Sequence, residues 1–121
     1  SMRPSFSIQP SRRFVMAKYM IKVSYSVEGA QGLIEEGGSS RQAMVAKMLE
    51  GMGGSLESFY FSFGEDDAYV IVDVPDSVTA VALSLAVNAA GGAGLATIPL
   101  ITGEEMDEAC RKTVSYRPPG E

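Results

Sequence analysis

Apolar and polar residues alternate along Lys18–Ser26, which is the pattern of a half-buried β-strand. One face of that strand carries Tyr19, Ile21, Val23 and Tyr25, and the other carries Lys18, Met20, Lys22 and Ser24. Two more strands are predicted over Ser55–Phe63 and Ala68–Val74, and the short turn between them indicates a hairpin. A fourth is predicted over Leu95–Ile101, at a sheet edge because Pro99 has no N–H for a ladder.

Helical spacing of apolar residues appears between the strands. The predicted helices are a short turn over Glu28–Gly38, a long helix from a Ser39 or Ser40 cap to about Met52, a helix from the Asp76 cap to Gly91, and a short helix over Glu104–Lys112. The third of these has two apolar faces: Val78, Val81, Ala82, Leu85 and Ala89 on one, and Ala80, Leu83 and Val87 on the other. We therefore expect it to be covered on most sides.

The element order β-α-β-β-α-β, followed by a C-terminal helix, predicts an α+β fold. The simplest packing is a ferredoxin-like sandwich with an antiparallel sheet in the order 4-1-3-2. Both sheet faces look apolar, but the two main helices can cover only one of them. We expect a second copy of the chain to cover the other, which makes the protein a homodimer paired through its sheets, or a larger assembly of such dimers.

Charge and composition narrow the function classes. The 121 residues include ten Lys and Arg against fifteen Asp and Glu, and the net charge of −5 argues against a nucleic-acid partner. Histidine is absent, which removes Ser-His and Cys-His nucleophiles and most transition-metal sites. The single cysteine excludes an internal disulfide and a thiolate zinc cluster. We predict neither a metal nor a cofactor.

Three segments are expected along the chain: a flexible basic extension over residues 1–16, a folded domain over 17–113 and a Pro-rich tail over 114–121. The extension resembles a transit peptide in being rich in Ser and Arg, but it lacks an apolar signal core, and we expect a cytoplasmic protein. The uncharged run Ser77–Gly103 is long enough for a membrane span. Its central glycines and Pro99 favour a helix, a loop and a strand instead, so no membrane partner is expected.

Several polar side chains should meet at one pole of this topology. Arg41 would bind an anionic or carbonyl oxygen, Tyr25 would donate a hydrogen bond, and Asp67 would orient the arginine. The full set of candidate ligand-binding residues is Tyr25, Arg41, Tyr60, Phe61, Phe63, Asp67 and Asn88. Phe61, Phe63 and the methionines Met44, Met48 and Met52 could form the wall of a cavity there. The alternative is structural: an inward arginine paired with acids closes the end of a core, and half-buried tyrosines and methionines fill it.

Five stretches of the chain carry a family resemblance. They are Gly53-Gly54, Phe59-Tyr60, the hairpin Phe63-Gly64-Glu65-Asp66-Asp67, the run 71–76 and Thr102-Gly103-Glu104-Glu105. Together, across Met16–Thr113, the chain resembles the GYD family of small bacterial and archaeal proteins. The family pattern reads Gly-x-Tyr-Asp, and Asp66 stands here at the tyrosine place. The resemblance implies a dimeric α/β barrel of the ferredoxin-like superfamily, which includes small monooxygenases and muconolactone isomerases, and it implies no particular activity.

Three functions fit these observations. The first is a homodimeric domain that binds a small apolar or aromatic molecule in a partly apolar cavity. The second is a cofactor-independent isomerase, cyclase or monooxygenase acting on an aromatic or polyketide-like substrate, with a desolvated Asp or Glu as its base. The third is an oligomerisation module without a ligand. A ligand-sized cavity that contains Arg41 would favour the first two, and a solid interior would favour the third.

Overall fold

A computed structural model describes residues 16–62 and 64–121. The elements in chain order are β1 (Ala17–Tyr25), α1 (Val27–Glu36), α2 (Gly38–Gly51), β2 (Ser55–Phe61), β3 (Ala68–Val74), α3 (Ser77–Ala90), β4 (Ala93–Leu100) and α4 (Gly103–Cys110). The predicted order of strands and long helices is confirmed. The turn predicted after β1 is a full ten-residue helix, because Ser26 caps it with a side-chain oxygen that accepts from Gly29 N at 3.1 Å.

The four strands form one antiparallel sheet in the order β2-β3-β1-β4. This is the predicted 4-1-3-2 order of a ferredoxin-like α+β fold. Pro99 lies in the edge strand β4, opposite Tyr19, where its missing N–H breaks no ladder on the outer side.

The core lies between one face of this sheet and helices α2 and α3. The alternation in β1 and β3 sends every second side chain into it, and Leu49 and Leu83 enter from the helices. The buried residues are Ile21, Val23, Leu49, Phe59, Ala68, Val70, Val72, Val74, Ala80 and Leu83. The opposite sheet face has no helix over it within the described chain, so it is called the open face below.

A β-bulge in β2 changes which residues face the core. The register shifts between Leu56 and Ser58, so Leu56 lies opposite Val72 and Phe59 lies opposite Val70. Both therefore share the helix-covered face, because Val70 and Val72 are two residues apart. Strict alternation along Ser55–Phe63 predicts Leu56 and Phe59 on opposite faces, and that expectation is wrong because alternation cannot anticipate an inserted residue.

Two helix predictions are also wrong. The long helix begins after Gly37, whose φ of 89° lets the chain turn between α1 and α2, and neither Ser39 nor Ser40 caps it. Helix α3 is not covered on most sides by the described chain. Ala80 and Leu83 are buried against the sheet, but Val78, Val81 and Leu85 are 57–75% exposed.

None of the described helices is both long enough and apolar enough to cross a membrane.

Candidate functional site

A cavity lies at one pole of the described chain, on the helix-covered side of the sheet. Helices α1, α2 and α3 surround it together with the end of β1 and the start of β4. Its volume is about 350 Å³. It is lined by Tyr25, Gly29, Gly32, Leu33, Glu36, Arg41, Met48, Ala86, Val87, Ala90, Gly92 and Ala93. All of these residues belong to one chain, so a single chain is enough to form this space, which is called the outer cavity below.

Helix α1 leaves room for the outer cavity because its inner side is poor in side chains. Gly29, Gly32, Leu33 and Glu36 follow the i, i+3, i+4, i+7 spacing of one helical face. Apart from its chain neighbours and its own helix backbone, no atom lies within 4 Å of the position that a Cβ on Gly32 would occupy. The space that a larger residue would fill is therefore open at this point of the helix.

A smaller inner chamber of about 80 Å³ lies between the sheet and helices α2 and α3. Tyr25, Arg41, Met48, Val87 and Ala93 line both spaces, which places the outer cavity and the inner chamber side by side. The other residues around the inner chamber are all apolar: Ile21, Val23, Val45, Leu49, Phe59, Val70, Val72, Leu83 and Leu95. The polar groups of the site thus lie where the two spaces meet.

Tyr25 and Arg41 form the polar pair at this boundary. Burial raises the pKa of the Tyr25 phenol above its ordinary value, although the charge of Arg41 and a hydrogen bond from it act in the opposite direction. The phenol is therefore neutral at pH 7. A guanidinium only donates, and a neutral phenol can donate its own proton, so each of the two side chains has a donor to offer a ligand. Together the two side chains can donate to one ligand oxygen.

Two carboxylates lie beside this pair. Glu36 Oε1 is 3.9 Å from Arg41 Nη1, and Ser40 Oγ donates to the other Glu36 oxygen at 3.5 Å. Asp67 Oδ2 accepts from the backbone N–H of Tyr25 at 2.8 Å, and Asp67 N donates to Val23 O at 2.8 Å. Asp67 thus ties the β2–β3 hairpin to the end of β1. In the described contacts the ion-pair partner of Arg41 is Glu36, whereas the sequence prediction assigned that orienting role to Asp67.

The remaining candidate residues that the structure describes, Tyr60, Phe61 and Asn88, line neither of the two spaces. Asn88 Oδ1 accepts from Leu95 N at 3.1 Å, which fixes the connection from α3 to β4. Tyr60 is 72% exposed on the open face. Phe61 packs against Phe59 with ring centroids 5.0 Å apart and contacts the start of α2 near Gly38. Phe63, predicted to form part of the cavity wall, lies outside the described residues.

The sequence prediction missed the whole wall that α1 contributes. The helical spacing of Gly29, Gly32, Leu33 and Glu36 indicates that they share one helix face. Glycines, however, do not contribute to a pattern of hydrophobic residues, so this face was not recognised. Of the three methionines proposed as wall residues, Met48 lines both spaces. Met44 is 37% exposed, and Met52 packs against the core. In the part of the chain that the structure describes, no three acidic or cysteine side chains gather into a group that could hold a metal ion.

Comparison with protein families finds one described as the GYD domain, whose model matches residues 19–110. That match begins within β1, at Tyr19, and covers every later strand and helix through α4. Comparison with curated proteins and with solved structures finds no match.

Proposed function

Because the chain belongs to the GYD domain family and contains a cavity of ligand size, we propose that it is a homodimeric domain that binds a small molecule in each subunit. The observation that carries the proposal is the outer cavity, with the Tyr25 and Arg41 donors at its base. Its volume of about 350 Å³ lies at the lower end of the range of roughly 300–1,000 Å³ that small-molecule sites occupy.

The composition of the cavity supports binding over simple structural closure. Its walls are mostly small apolar residues, and few polar groups converge on it. That combination is typical of ligand sites, in which apolar burial supplies affinity and a few donors set orientation. A residue whose only task is to close a core packs against its neighbours, whereas Gly32 of α1 leaves this space unfilled.

The open face supports the dimeric part of the proposal. In the strand register, Met20 of β1 lies opposite Ile71 of β3 on one side and Ile98 of β4 on the other. The three side chains are therefore neighbours at the centre of the open face. The charged side chains around them are already paired: Lys18 with Glu57 and Asp73, and Lys22 with Asp66. Hydrogen bonds to Glu57 and Asp73 raise the pKa of Lys18, so the lysine stays charged and paired. An apolar face with its charges neutralised internally suits a second copy of the same face.

The test uses N-phenyl-1-naphthylamine, an uncharged apolar dye whose fluorescence rises on entering an apolar site. We expect saturable binding to the wild-type protein and at least about tenfold weaker binding to Gly32→Leu, whose side chain fills the outer cavity. Gln31→Leu adds the same side chain on the exposed side of α1 and should bind the dye as the wild type does. Equal binding by Gly32→Leu and the wild type, or no saturable binding at all, would overturn the assignment of this cavity.

A further inference from the structure

We propose, building on the function proposed above, that the ligand is an uncharged amphipathic carbonyl compound. Its carbonyl oxygen lies between Tyr25 and Arg41, and its apolar tail extends past Met48 into the inner chamber. The inference rests on two hydrogen-bond donors, Tyr25 and Arg41, that stand at the entrance of a chamber whose other lining residues are all apolar.

The charges around the donor pair disfavour an anionic ligand. Arg41 supplies one positive charge, whereas the carboxylates of Glu36 and Asp67 supply two negative charges close to Tyr25. Helices α1 and α3 both present their C-terminal turns to the outer cavity, through Glu36 and Ala90, and helix C-termini carry partial negative charge. The N-terminal turn of α2 carries partial positive charge, and it offsets the negative charge of only one of these two helix ends.

The hydrogen-bonding groups match a neutral carbonyl. The Tyr25 hydroxyl and the Arg41 N–H groups can both donate to one carbonyl oxygen. Glu36 is an acceptor with a long 3.9 Å contact to Arg41, so it can also accept from an N–H or O–H next to that carbonyl. A primary amide satisfies all three groups, while a carboxylate would place its second oxygen against Glu36.

The inner chamber sets the nature of the tail. Its lining beyond the shared residues is entirely apolar, which favours an apolar group over water there. At about 30 Å³ for each water-sized group, 80 Å³ holds about three such groups. Met48, with its flexible side chain, lies at the boundary and can move aside for a chain of this length.

The test measures displacement of N-phenyl-1-naphthylamine by hexanamide and by hexanoate, which have the same chain and differ in head-group charge. We expect hexanamide to bind about tenfold more tightly than hexanoate. Glu36→Gln should reduce that ratio, and Glu35→Gln, which alters a neighbouring exposed carboxylate, should leave it unchanged. Equal or tighter binding of hexanoate to the wild type, or a ratio that Glu36→Gln does not alter, would overturn the head-group assignment.

A chain-length series tests the tail separately. From propanamide to hexanamide, affinity should rise about fourfold for each added methylene that enters the chamber. Val45→Phe fills the inner chamber alone, so it should flatten the series without weakening propanamide. A flat series in the wild type would overturn the tail assignment. If these two tests failed but Gly32→Leu still abolished dye binding, the outer cavity would remain the binding site and only the carbonyl ligand would be rejected. If the wild type bound no dye, both proposals would be overturned.

Discussion

Gly29 in α1 lies so close to Gly92 at the start of β4 that a Cβ on Gly29 would be 1.9 Å from the Gly92 carbonyl oxygen. The same oxygen accepts from Ser26 N at 3.0 Å and from Ser26 Oγ at 3.2 Å. The first turn of α1 is thus held against the backbone of β4, and this contact sets the distance between the two walls of the outer cavity.

Alanine at the two glycines of α1 should have opposite effects on stability. At Gly29 the added methyl group clashes with backbone, and we expect a loss of about 1–3 kcal/mol in the free energy of unfolding. At Gly32 the space is open and the residue is helical, so Gly32→Ala should gain about 0.5–1 kcal/mol. Urea denaturation of both variants measures the difference. Equal effects would show that α1 does not contact β4 in this way.

Removal of the Arg41 guanidinium should affect binding more than stability. The Arg41–Glu36 pair is long at 3.9 Å and about one-third exposed, so its loss should cost no more than about 1 kcal/mol. The affinity for hexanamide should fall about tenfold in Arg41→Ala, because one of two donors to the carbonyl is lost. Calorimetric titration measures the affinity for hexanamide, and thermal unfolding measures the stability. A large loss of stability with unchanged affinity would identify the arginine as a structural ion pair.

The cap of α3 should make stability depend on pH in the acid range. Hydrogen bonds from the Thr79 backbone and hydroxyl lower the pKa of Asp76 below its ordinary value of 3.8. The capping contribution is therefore complete above that value and is lost as the pH falls through the folded-state pKa. Thermal unfolding between about pH 2 and pH 6 should show a smaller acid loss in Asp76→Asn than in the wild type. Parallel profiles for the two proteins would contradict this account of the cap.

Dimerisation should depend on the open face and not on α3. Ile71→Lys places an unpaired charge at the centre of the open face and should convert a dimer of twice the 12.8 kDa chain mass into a monomer. Val81→Lys introduces the same charge on the exposed side of α3 and should leave the dimer intact. Light scattering at micromolar concentration distinguishes the two states. A monomeric wild type, or a dimer disrupted by Val81→Lys instead, would refute pairing through the sheets.

The fold was predictable because its main signals are periodic. Alternation in β1, helical spacing around Leu49 and Leu83, and Pro99 at a sheet edge each have one simple structural interpretation. The bulge after Leu56 and the exposed side of α3 were not predictable in this way. A bulge changes the period at a single residue, and an apolar helix face carries no mark of whether a neighbour covers it.

The candidate site was only partly predictable. Tyr25 and Arg41 meet because the end of β1 and the start of α2 share one pole of the topology, which the element order already implies. Glu36 and the glycines of α1 were missed because the helix that carries them looked like a short turn. Asn88 was expected at the same pole, but its side chain is engaged by the Leu95 N–H.

A crystal of the protein soaked with 6-bromohexanamide would test the central claim most directly, since the anomalous signal of bromine locates the end of the tail. The account predicts one bromine peak per subunit inside the inner chamber, between Val45, Met48 and Leu83, with the amide group at Tyr25 and Arg41. A peak on the open face or on the exposed side of α3, with the chamber left empty, would contradict it.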